Sequence, residues 1–219
     1  MRQLKAQVLA LLRADDLPST LAALALWPPR QVVNPLIGLL YHGEPRVRWH
    51  AVAALGVVVG RLAAEDLEAA RVVMRRLMWS LNDESGGIGW GAPEAMAEIM
   101  AHHECLAREY ACILVSYLNP AGNFLEHEGL QQGVLWGLGR LGRVRPDLVA
   151  AAAPFIPPYF ASSQDVLRGM AVWVAGALHE TAWEAALHAL RHDPAPILLF
   201  DQGRLTEHTV GELAAAAIV

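Results

Sequence analysis

Pairs of imidazole and carboxylate are the first feature of this chain with chemical content. His103-Glu104, His127-Glu128 and His179-Glu180 set the two side-chain types next to each other, and Glu98 stands four residues before His102, the spacing that brings two side chains to one face of a helix. Neutral imidazole and carboxylate oxygen are the ligands of non-haem iron and catalytic zinc, so Glu98, His102, His103, Glu104, Glu126, His127 and Glu128 are candidate metal ligands. A plainer reading competes with this one. Histidine in the last turn of a helix is favoured by the helix dipole, and His103 falls on an apolar face with Met96, Ile99 and Met100. Ser85, Ser116, Cys105 and Cys112 have no histidine at a fixed spacing that could act as their base. No catalytic residue is therefore assigned, and no cofactor is expected.

A second cluster is Asn82-Asp-Glu-Ser-Gly-Gly-Ile-Gly-Trp-Gly91. A phosphate cradle would require a preceding strand and a following Lys-Ser/Thr, whereas this stretch follows a helical pattern and carries Asp83 and Glu84, which repel phosphate. Glycine in a helix interior costs about 1 kcal/mol relative to alanine and proline about 3. The next helix is therefore expected to begin near Ala92, with Pro93 and Glu94 in its first turn. Residues 85–91 become an ordered loop in which glycines allow positive φ angles and Trp90 acts as a plug. Asn82, Asp83, Glu84, Ser85 and Trp90 offer a polar and aromatic recognition surface on that loop.

The elements that hold these residues follow from a repeat. Val47-Arg-Trp-His-Ala-Val-Ala-Ala-Leu-Gly56 aligns with the segments starting at Ile88, Leu130 and Leu167, at shifts of 41, 42 and 37 residues. A period of this size marks stacked units rather than a closed globule. Val47, Ala51, Ala54, Leu55, Val58 and Leu62 share one helical face. Partner helices run from Leu67 to Leu81, Leu106 to Tyr117 and Leu148 to Tyr159, the last kinked by Pro154. The unit is a pair of antiparallel helices.

Val47-Arg48, Ala51 and Ala54-Leu55-Gly56 resemble the short HEAT repeats named after phycobilisome lyases, and the resemblance covers roughly residues 30–180. It implies an all-α fold, a right-handed α-α superhelix of the HEAT/armadillo kind with four to five helical pairs. Its second helices would line a concave, protein-holding surface. The His-Glu pairs resemble those of deoxyhypusine hydroxylase, a di-iron enzyme on the same scaffold, which makes a metal-dependent hydroxylase the alternative function. The lyase resemblance adds bilin or other tetrapyrrole handling as a third. Residues 1–193 are read as the repeat domain. Residues 194–219 are read as a cap packed on its end: a hairpin of Pro196–Phe200 and Leu205–Val210, then a helix with Thr209 and Glu212 as its capping box.

Aligned inner helices put Ala53, Glu94, Trp136 and Trp173 in one row and Val57, Glu98, Arg140 and Ala177 in the next. Neither row lies on the apolar face, so the two tryptophans are expected to be partly exposed. Glu94, Glu98, Trp136, Arg140 and Trp173 would then line one groove, suited to a basic or Arg-bearing protein segment. With a formal charge of −5 and a single lysine, the chain has no basic tract for nucleic acid. The apolar runs Ala51–Gly60 and Leu148–Ile156 are shorter than the roughly 20 residues of a membrane span. The start of the chain has no secretory signal. A cytoplasmic, non-enzymatic adaptor is the expectation, with Cys105 and Cys112 as helix-packing thiols.

Overall fold

The computed structural model describes residues 2–81 and 89–218. The chain opens with α1 (Arg2–Leu12), α2 (Leu17–Ala25) and α3 (Pro29–Leu39), followed by the long α4 (Pro45–Glu65) and α5 (Leu67–Leu81). Beyond the 82–88 segment come α6 (Ala92–His102), α7 (Glu104–Ser116) and α8 (Glu128–Gly142). The broken connection α9 (Pro146–Val149), a 3-10 turn over Ala150–Phe155 and α10 (Pro157–Phe160) leads to α11 (Asp165–Leu178) and α12 (Glu184–Leu190). The hairpin strands β1 (Pro196–Asp201) and β2 (Arg204–Thr209) precede a last helix, α13 (Val210–Ala217).

Local chemistry explains the boundaries. Proline sits in the first turn of α2, α3, α4 and α6, where its missing N–H is not needed. Asp66 ends α4 in an extended conformation and starts α5 by accepting the Ala69 amide at 3.0 Å. The third partner helix differs from expectation. Pro154, Pro157 and Pro158 each remove a backbone donor, and the segment breaks into short pieces instead of kinking once. At the C-terminus Thr209 and Glu212 form the expected capping box.

The helices stack in chain order. α4 packs on α6, α6 on α8 and α8 on α11, with α3, α5, α7 and the α9–α10 segment alongside as the second row. Each inner helix buries one face against the next, so Ala54, Leu55, Met96, Ile99, Leu138 and Val174 are inaccessible. α13 packs against α11 and α12, so the last inner helix of the stack is α13 itself. His50, buried on α4, has Nδ1 2.9 Å from the Leu12 carbonyl. Burial lowers its pKa, and as a neutral donor it ties α4 to the end of α1. α4 is long and apolar enough to cross a membrane, yet 72% of that window is buried in the molecule, as expected of a core helix.

Two expectations are corrected. Cys105 and Cys112 are exposed on α7 rather than packed between helices, because α7 turns Leu106, Tyr110 and Leu114 inward. The hairpin does not cover the end of the stack. α13 takes that place, and the two strands lie across the inner face of the repeats.

Candidate functional site

The inner face is concave, and the hairpin lies in the concavity. The rings of Trp49 on α4 and Trp136 on α8 meet at 4.7 Å although α6 separates their helices, which requires the row of inner helices to curl inward. β1 places Phe200 on Trp49 with centroids 5.0 Å apart and planes at 12°, and Ile197 against α11 at Gly169. Its apolar residues alternate: Ile197 and Leu199 are buried while Leu198 faces outward. The turn Gln202-Gly203 has φ of 47° and 78°, the pair of left-handed residues that a two-residue hairpin needs. Gly203 lies close against Leu17 at the start of α2. The hairpin therefore bridges the last repeat to the first.

Two tryptophans fasten it. Trp136 Nε1 donates to the Phe200 carbonyl at 2.8 Å, and Trp173 Nε1 donates to the Trp136 carbonyl at 3.0 Å. Both residues are core, at 2% and 5% exposure, which corrects their expected exposure. The hairpin covers Trp136 through Phe200, whereas Trp173 is buried in the seam between α11 and α8. Gly139 makes the slot for Trp173, whose Cδ1 would collide with a side-chain Cβ at that position.

Beside the hairpin the concavity stays open as a cleft of about 720 Å³. Ala53, Val57, Glu98, His102 and Arg140 form its floor, Asp15 and Asp16 of the α1–α2 connection one lip, and Asp201–Arg204 the other. Glu98, 6% exposed, is bound by Arg140 through a fork at 2.7 and 3.1 Å. His102 Nδ1 is 3.4 Å from the Glu98 carboxylate and 2.9 Å from its backbone carbonyl. The carboxylate assigned to a cationic partner is thus already neutralised within the chain.

Glu94 is not in this cleft. It is buried between α6 and α8, its Oε2 against Gly133 and without a hydrogen-bond partner among the described residues. Burial pushes its pKa up, with a hydrogen bond from its own backbone and the charge of Arg48 acting the other way. A carboxyl raised in the folded state gives its full contribution to stability below the unfolded value and loses it as pH rises through the folded value. Glu94→Gln is therefore expected to match wild-type stability near pH 4 and to exceed it at neutral pH by on the order of 1 kcal/mol. Denaturant titrations of both proteins across that range check this, and a Gln variant less stable at neutral pH would show that Glu94 is paired.

The metal candidates do not converge. His103 and His127 are N-caps, accepting the Leu106 amide at 3.5 Å and the Gly129 amide at 3.1 Å. Glu104 pairs with Arg108 at 2.6 Å, while Glu126 and Glu128 are exposed. Among the described residues no group of three His, Cys, Asp or Glu side chains is placed to hold a metal ion. In the glycine-rich segment, Trp90 packs on Gly129 and meets His127 edge-on at 4.9 Å. Gly91, with φ of 75°, is the residue before α6. Asn82, Asp83, Glu84 and Ser85 lie outside the described residues. Sequence reasoning missed Asp15, Asp16, Arg143, Asp201 and Arg204, which reach the cleft from connections and helix ends. Of these only the Asp-Gln-Gly-Arg turn carried a signal, as a hairpin tip.

A search of family models gives no match. An uncharacterized protein of Archaeoglobus fulgidus is 32% identical over 114 residues, which are 52% of this chain and 56% of that protein. The chain thus spans little more than half the length of that relative. Among solved structures, a designed armadillo repeat protein aligns over 97% of both chains with a TM-score of 0.52 and 18% identity. Another, in complex with a (KR)4 peptide, aligns over 96% of both chains with a TM-score of 0.52 and 17% identity. The fold is that of an armadillo-like α-solenoid.

Proposed function

We propose that the chain is a non-enzymatic scaffold that holds a segment of a partner protein in the cleft between the inner helices and the hairpin turn. The observation that carries this reading is the cleft itself. It is a 720 Å³ concavity whose floor carboxylate, Glu98, is already held by the Arg140 fork. Its walls come from helices and a pinned hairpin, the rigid support a recognition site needs. One armadillo repeat protein of the same fold holds a basic peptide. In this chain a basic side chain on the segment would meet the lip at Asp16, since Asp15 is paired with Arg46. Asn82, Asp83, Glu84 and Ser85 are proposed as a second contact.

Val57 lies on the cleft floor and is not part of the buried core, so Val57→Trp obstructs the cleft while sparing the stack. Partners captured by the wild type should be lost with Val57→Trp and kept with Trp79→Ala, a change on the outer helix α5 where Trp79 is 79% exposed. Replacing residues 82–85 by alanine should weaken the same capture. Retention of every partner by Val57→Trp, at unchanged thermal stability, overturns the reading.

A further inference from the structure

The cleft continues past the hairpin turn into a second compartment of about 390 Å³ lined by Val172, Trp173, Gly176 and Leu213. Arg143, Asp201, Gln202 and Arg204 belong to the walls of both compartments and so mark the boundary between them. Arg143 is held there by three contacts. Its guanidinium lies over the Trp173 ring, 3.2 Å from the centroid, and Nη1 donates to the Gly139 and Trp173 carbonyls at 2.8 and 3.2 Å. Those bonds close the C-terminus of α8 and fix the plane of the guanidinium.

Among the described residues Nε and Nη2 of Arg143 donate to no acceptor, and neither Arg143 nor Arg204 forms an ion pair with a carboxylate. Arg140, one turn earlier, is the contrast: both sides of its fork are taken by Glu98. Arg143 is exposed to the cleft; desolvation brings its pKa down to about 10, with the charge of Asp201 acting in the opposite direction. Two guanidinium groups against the single carboxylate of Asp201 leave a surplus of one positive charge at the boundary.

We propose that Arg143 and Arg204 form a carboxylate-binding site that receives an anionic group of the partner segment where the two compartments meet. The inference rests on the scaffold reading and names the chemistry of its ligand. A guanidinium with two free parallel donors matches the two oxygens of a carboxylate. The surplus of one charge, with Asp15, Asp16 and Glu98 in the same cleft, selects a monoanion over a phosphate dianion. The carboxylate is the end of the bound chain or an Asp or Glu side chain within it. In either case a basic residue a few positions away reaches Asp16 of the lip.

The test uses the full chain and four probes: acetyl-Arg-Ala-Ala-Ala with a free terminal carboxylate, the same peptide as its amide, acetyl-Arg-Ala-Glu-Ala amide, and inorganic phosphate. Binding is followed through the side-chain N–H resonances of Arg143 and Arg204. The free acid should bind about ten- to hundredfold tighter than the plain amide, the ratio expected for one charge-assisted pair, and phosphate should not displace it. Arg143→Gln and Arg204→Gln should each reduce that ratio toward one, and Arg143→Lys should keep part of it. The Arg204 variants guard against a loss of folding at Arg143. A Glu-containing amide that equals the free acid shows that the site takes a carboxylate from either source, one that binds tighter assigns it to a side chain, and one that equals the plain amide assigns it to the chain end. Equal binding of free acid and both amides, no binding of either carboxylate peptide, preferential binding of phosphate, or a preference that survives Arg143→Gln overturns the inference. The scaffold reading is decided separately, by partner capture with Val57→Trp.

Discussion

Trp136→Ala is expected to lower the free energy of unfolding by about 3–5 kcal/mol, the range for deleting a large buried aromatic side chain. The ring sits at 2% exposure, touches Trp49 at 4.7 Å and holds the hairpin through the Phe200 carbonyl. The loss therefore has two parts. A cavity opens between α4 and α8, and a buried carbonyl on β1 loses its donor. Trp136→Phe separates them, since it keeps most of the volume and removes the N–H; it should cost about 1 kcal/mol for the hydrogen bond alone plus a smaller cavity term. Denaturant unfolding of the two variants checks this, with near-ultraviolet circular dichroism reporting on the tryptophan packing. A loss below about 1 kcal/mol for the alanine variant would mean that the hairpin does not rest on this ring.

The same contact changes how the stack should unfold. Repeat solenoids commonly lose their terminal units first because each unit touches only its neighbours. Here Phe200 on Trp49 and Gly203 at Leu17 join the last element to the first, so amides of α2 and of β1 should gain and lose protection from exchange together. In Trp136→Ala that coupling should disappear before the helical content does.

Much of the fold could be read from the residues. The 3.6-residue periodicity at Val47, Ala51, Ala54 and Val58 placed α4, the cost of glycine and proline set the start of α6 at Ala92, and Thr209 with Glu212 marked α13. The position of the hairpin was not readable. Alternation of Ile197, Leu198 and Leu199 says that one face of β1 is buried, but not which surface buries it. That gap explains the misplaced Trp136, which the distant hairpin turns into core. Glu94 and Trp173 are buried for another reason: they sit in the helix seams, against Gly133 and Gly139 of α8, where missing side chains make room for them. The metal candidates gain no supporting geometry among the described residues, because His103 and His127 spend Nδ1 on capping the helices that follow them.

One signal was present and went unused. In stacked repeats, equivalent positions of successive helices are neighbours, so opposite charges in one aligned row should pair. Glu98 and Arg140 are such a pair, 42 residues apart, as are Arg71 and Glu109 on the outer row, 38 apart. The outer pair is about one-third exposed on each side and its removal should cost no more than about 1 kcal/mol.

Arg140→Met should behave differently. It leaves the Glu98 carboxylate, 6% exposed, without its fork, and stranding a buried charge costs about 3–5 kcal/mol. His102 remains 3.4 Å from the carboxylate, and it compensates only when protonated. Glu98→Gln with Arg140→Met removes both charges, and the double variant should recover most of what the single one loses, because a buried pair replaced by neutral groups is close to neutral in stability. The double-mutant cycle, measured by denaturant unfolding, therefore predicts a large coupling energy between the two positions. Stability within about 1 kcal/mol of wild type in Arg140→Met would instead mean that water reaches Glu98 and solvates it. The cleft floor would then hold a free carboxylate, and the cationic segment first expected from the sequence would regain its binding partner at Glu98 rather than at the lip.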